Sequence, residues 1–74
     1  MPKTIGTLIA DSRKRAGLTQ AQLASVVGVH RITVNRWERG AQISLRTLYS
    51  LRGPLLWSEP EWTQALVLSG EARR

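Results

Sequence analysis

The chain has no cysteine, no phenylalanine, a single histidine, and only five acidic residues against eleven basic ones among its 74 positions. Without cysteine there are no disulfides, thiolate zinc sites or cysteine nucleophiles. One histidine, with carboxylates scattered at Asp11, Glu38, Glu59, Glu61 and Glu71, supplies no acid–base pair or metal ligand set at a recognisable spacing. Neither an enzyme nor a bound cofactor or metal is therefore expected. Apolar runs are short, Ala65–Leu68 being among the longest, and none approaches the ~20 residues that span a bilayer. The first residues, Met1–Lys3 and Thr4, lack the apolar stretch of a secretory signal, so the expected location is the cytoplasm. The length suits one small domain over residues 1–74, with no room for a small-molecule effector domain. A 42% hydrophobic content without low-complexity runs argues against disorder.

What is abundant is positive charge. The formal net charge is +6 and the isoelectric point about 11.5, which suits an anionic partner. Its distribution is uneven. Residues 1–52 hold nine of the basic groups and two acidic ones, whereas residues 53–74 hold Arg73 and Arg74 against three glutamates. A basic body thus carries a nearly neutral C-terminal piece. A merely solvated basic surface is the plainer explanation, and choosing between the two needs the local pattern.

That pattern predicts an all-α fold of five helices. Thr4 caps a first helix whose Ile5, Leu8, Ile9 and Ala16, with small Ser12 between them, form a buried stripe ending at Gly17. Thr19 caps a second, with Gln20 in its first turn, Leu23, Ala24 and Val27 inward, and Gly28 as the break. A third runs from Arg31 to Arg39 and stops at Gly40. Ser44 caps a fourth, to Leu51, burying Leu45, Leu48 and Leu51. Gly53-Pro54 breaks the chain, and Ser58-Glu59-Pro60-Glu61 is a capping-box start for a fifth helix over about 59–68. Residues 69–74 read as a tail.

The segment 19–39 meets the packing demands of a helix-turn-helix. Ala24 is small where the following helix must cross closely, Gly28 tolerates the turn, and Val34 projects into the angle with Val29 closing it. At about 100° per residue, the third helix places Arg31, Asn35, Arg39, Ile32 and Arg36 on one side and Thr33, Trp37 and Val34 on the other. Surface helices are commonly amphipathic, and arginines decorate many solvated faces. An isoleucine on the polar side is odd for such a face. In a DNA major groove Ile32 would meet thymine methyl groups while Arg31 or Arg36 reads guanine.

The stretch GLTQAQLASVVGVHRITVNRWERG, Gly17 to Gly40, resembles the phage repressor/Cro helix-turn-helix family, also called the XRE family. The likeness extends less tightly from Thr4 to Leu51. It implies a compact five-helix bundle of the lambda-repressor-like type whose third helix enters the major groove of double-stranded DNA. On this sequence the base-reading positions of the family fall on Arg31, Ile32 and Arg36, with Asn35 beside them. Gln20 matches a glutamine that binds phosphate and braces the recognition helix, and Arg13 and Glu38 match a structural ion pair. Ala24, Gly28, Val34 and Trp37 match the packing positions.

Three departures from that family pattern stand out. His30 occupies a position where serine is common, as a polar helix start near phosphate or as a group that gains charge in mildly acid solution. The loop Ala41-Gln42-Ile43 is short and lacks the usual proline, which shifts its phosphate contacts to Arg39 and Arg46. After Gly53 no family pattern applies. There Leu55, Leu56, Trp57, Trp62, Leu66, Val67 and Leu68 form a heavy apolar load, and Trp62 and Leu66 share a helix face. The fifth helix either completes the monomer core or, through Trp62 and Leu66, pairs two copies on an inverted repeat.

The function expected is a sequence-specific transcriptional regulator, a repressor or autoregulator binding its operator as a homodimer, phage- or bacterium-encoded. An antitoxin that binds DNA and also neutralises a partner protein is the alternative. No membrane partner and no small-molecule effector are expected, since the basic residues do not follow one long amphipathic helix.

Overall fold

A computed structural model describes residues 4–70, which form five α-helices and no strand. They are α1 (Ile5–Arg15), α2 (Gln20–Val27), α3 (Arg31–Glu38), α4 (Leu45–Arg52) and α5 (Glu59–Ser69). Local chemistry explains where they begin. Thr4, Thr19, Ser44 and Ser58 each accept a backbone N–H of the first turn, from Thr7, Gln22, Thr47 and Glu61. In α1, α2 and α5 the third residue of the helix returns the bond to the cap backbone, closing a capping box. The third helix stops at Glu38, one residue before the expected end, with Arg39 as its C-cap. The fifth extends to Ser69 and ends on Gly70 in the left-handed conformation. The expected tail therefore loses its first residue to α5, and residues 71–74 lie outside the described residues.

The core draws on every helix: Leu8 and Ile9 from α1, Leu23 and Ala24 from α2, Val34 and Trp37 from α3, Leu48 and Leu51 from α4, Trp62 and Ala65 from α5. Ile43, Leu55 and Trp57 join it from the connections. The α3 helix packs against α2 and α1, while α5 packs against α1 and α4. Ser12 is the buried polar residue of this core, and its Oγ accepts the Trp57 indole N–H at 2.8 Å. That bond satisfies a donor which would otherwise be stranded in apolar surroundings.

Burial bears on two residues in particular, Leu45 and Trp62. Leu45 is exposed, because Ile43 arrives from the preceding loop and fills the core at that end of α4. Trp62, read from the sequence as part of either the monomer core or a pairing face, is only 8% exposed and lies in the core, with the Tyr49 ring against it at 4.9 Å and the Arg52 guanidinium over it at 5.0 Å.

Gly6, buried in the first turn of α1, sets how closely α1 approaches α3. A Cβ there would lie 2.6 Å from the Glu38 carbonyl oxygen and 2.7 Å from that of Trp37. Glycine inside a helix costs about 1 kcal/mol against alanine, so its place near a helix start was a sequence signal of close packing that the periodicity of α1 did not reveal.

Candidate nucleic-acid interface

The turn between α2 and α3 is built as the sequence requires. Gly28 takes φ 77° and ψ 33°, a left-handed conformation that other residues adopt at a cost. The Val29 N–H returns to the Ala24 carbonyl at 2.9 Å, and Ala24 and Val34 are both buried where the helices meet. With Val34 and Trp37 turned inward, the opposite side of α3 faces out.

That outer side carries Arg31, Ile32 and Arg36, all exposed, with Asn35 half-buried beside them. His30, Arg31, Ile32, Thr33 and Arg36 line one shallow depression at the head of α3. Arg39 and Arg46 are exposed beyond its far end and on α4, where the loop Ala41-Gln42 also lies open to solvent. His30 is the N-cap residue of α3, yet its side chain makes no capping bond. The recognition helix alone thus keeps its first-turn amides clear of a side-chain cap, and such an end favours anions.

Ion pairing divides the arginines into two sets. Among the described residues, Arg13 pairs with Glu38, Arg15 with Glu61 and Arg52 with Glu59. Among the described residues the side chains of Arg31, Arg36, Arg39 and Arg46 take no such partner. Arginine charge is neutralised at Arg13, Arg15 and Arg52 and left open at Arg31, Arg36, Arg39 and Arg46.

The single carboxylate of α3 is removed from that field. Glu38 accepts Arg13 Nε at 2.7 Å and Nη2 at 3.2 Å, while Arg13 Nη1 donates to the Leu18 carbonyl. The two side chains are only 12% and 9% exposed. Gln20, first residue of α2, donates from Nε2 to Glu38 Oε1 at 3.0 Å. One carboxylate thereby ties α1, α2 and α3 together at the C-terminal end of the recognition helix.

A family model described as helix-turn-helix matches residues 9–52, from within α1 to the last residue of α4. The chain belongs to the XRE-type helix-turn-helix family. It is a DNA-binding transcriptional regulator. No curated protein and no solved structure matches the chain. The family match stops before the connection to α5, so the C-terminal piece of this regulator stands on its own geometry. Among the described residues no helix is long and apolar enough to cross a membrane.

The sequence brought Gln20, Arg13 and Glu38 to notice only through resemblance; their contact joins residues 25 and 18 apart. Tyr49 carries no signal in the sequence that sets it apart. It lies one turn from Leu45 on α4 and both are exposed; the Tyr49 ring lies against Trp62, while Leu66 is half-buried one turn along α5. The dipeptide Leu55-Leu56 divides: Leu55 is buried, and Leu56 is 71% exposed at φ 56°. A bulky side chain in that left-handed region signals a conformation imposed by its surroundings.

Proposed function

We propose that this regulator is a sequence-specific repressor that lays α3 in the major groove of an inverted-repeat operator, bound as a homodimer. The observation that carries the proposal is Arg31 and Arg36 sharing one depression with an exposed Ile32, unpaired among the described residues like Arg39 and Arg46, with the carboxylate of α3, Glu38, already neutralised. In this reading Arg31, Ile32, Asn35 and Arg36 meet base edges. Guanidinium groups suit the O6 and N7 acceptors of guanine, and an asparagine suits adenine. Gln20, His30, Arg39 and Arg46 meet phosphates, and the uncapped start of α3 adds its amides to the His30 position.

Pairing of two copies is supported by Tyr49 against Trp62, by Leu45 one turn from it on α4, and by half-buried Leu66 one turn from Trp62 on α5. Trp62, mostly buried in one copy, backs that surface. A two-fold arrangement would set the recognition helices one DNA turn apart, ~34 Å. Repression follows from occluding a promoter, with occupancy set by protein concentration.

Selection of bound duplexes from a random pool by the purified protein, at about 150 mM salt, tests the reading. Recovery of an inverted repeat with half-sites one turn apart is expected. Salt-sensitive binding with no shared sequence would reduce the arginines to phosphate contacts and abandon sequence recognition.

A further inference from the structure

We propose that the depression at the head of α3 reads the C5 methyl group of a pyrimidine as a chemical group, so that 5-methylcytosine is accepted where thymine is and unmodified cytosine is disfavoured. The inference rests on α3 lying in the major groove. Its starting point is Ile32, 59% exposed and sharing one depression with His30, Arg31, Thr33 and Arg36. A β-branched apolar side chain among these groups gains nothing from water and adds nothing to helix propensity. An apolar partner would take it out of water.

The major groove offers few. Guanine presents two acceptors, cytosine a donor, adenine an acceptor and a donor; thymine alone adds an apolar group, its C5 methyl. Cytosine methylated at C5 carries the same group at the same ring position and keeps its pairing with guanine. An apolar contact senses that methyl whichever pyrimidine bears it. Arg36 follows Ile32 by one helical turn, about 6 Å along the axis, and base pairs are spaced ~3.4 Å apart. A guanine held by Arg36 and the methyl-bearing pyrimidine therefore lie within about two base pairs of each other. The regulator would then bind more tightly to an operator whose cytosine at this position has been methylated, coupling transcription to a DNA modification.

The test uses the full chain and duplexes recovered from the random pool. Each thymine of the half-site is replaced in turn by deoxyuridine, which lacks only the methyl group. At the sensitive position, cytosine and 5-methylcytosine are then compared opposite guanine. Losing one methyl is expected to weaken binding about fourfold, with the same ratio between 5-methylcytosine and cytosine. In Ile32→Ala, which removes an exposed side chain and should leave the melting temperature unchanged, both ratios should fall to about one. Selective binding that ignores every deoxyuridine, or a methyl preference that survives in Ile32→Ala, overturns this inference and leaves the regulator reading intact. Absence of any sequence selectivity overturns both.

Discussion

Replacing Gly6 by alanine should unsettle the whole orientation of the recognition helix, although the substitution adds one methyl group and removes no contact. The new Cβ would stand 2.6 and 2.7 Å from two backbone carbonyl oxygens at the end of α3, where ordinary contact begins at 3.4 Å. Backbone oxygens cannot swing aside as a flexible side chain can. Relief requires α1 and α3 to separate by about 0.8 Å, loosening dispersion contacts across Leu8, Ile9, Val34 and Trp37. Overpacking of this kind costs about 3 kcal/mol at the upper end of its usual range, and alanine returns about 1 kcal/mol through helix propensity. The net loss of about 2 kcal/mol is a sizeable part of the stability of so small a domain. It corresponds to a fall in Tm of roughly 8–16 °C. Gly53→Ala is the matched control, because Gly53 has φ −69° and ψ −57° and open space around it. That variant should melt at the parent temperature or slightly above, by about 0.5 kcal/mol in stability. Thermal unfolding followed by far-UV circular dichroism compares the three proteins. A Gly6→Ala protein melting with or above the parent would refute the close approach of α1 to α3.

Other substitutions separate the roles assigned to the interface. Arg36→Ala should cost about 1–3 kcal/mol in operator binding and relax preference at one base pair, whereas Arg46→Ala should weaken all sequences alike and lower the salt slope by about one; equal behaviour in a titration against operator and scrambled duplexes would erase the distinction. Glu38→Ala strands the mostly buried Arg13 guanidinium and should destabilise the fold by about 3 kcal/mol in urea denaturation. A cost close to zero would show that water compensates Arg13. The Arg15 guanidinium, and next the Ser58 backbone N–H, hold the Glu61 carboxyl below its ordinary 4.5. The folded chain therefore binds that proton more weakly than the unfolded chain does. The stability involved is present above pH 4.5 and drains away as pH falls through the lower folded value, so the gap in Tm between parent and Glu61→Gln should close on acidification. Tyr49→Ala should move the monomer–dimer midpoint to higher concentration in sedimentation measurements. An unchanged distribution with a lower Tm would assign Tyr49 to covering Trp62 alone.

Sequence alone determined what depends on neighbours in the chain. Helix starts at Thr4, Thr19, Ser44 and Ser58 follow from side chains reaching three residues ahead, and the left-handed turn at Gly28 follows from a residue without a Cβ. The outward set Arg31, Ile32 and Arg36 follows from helical periodicity once Val34 and Trp37 are turned inward. Tertiary structure decided what depends on residues far apart. The Ser12–Trp57 bond spans 45 positions and the Arg15–Glu61 pair spans 46. No local pattern encodes either one, because each exists only after α5 has folded back on α1. The same holds for Gly6, whose need for a bare backbone is imposed by the carbonyls of α3. Leu45 leaves its expected place, and Trp62 lies in one of the two that the sequence left open, for a related reason. Periodicity orders residues around a helix, but which face is buried depends on what arrives to cover it: Ile43 at one end of α4, and Tyr49 with Arg52 over the indole of Trp62.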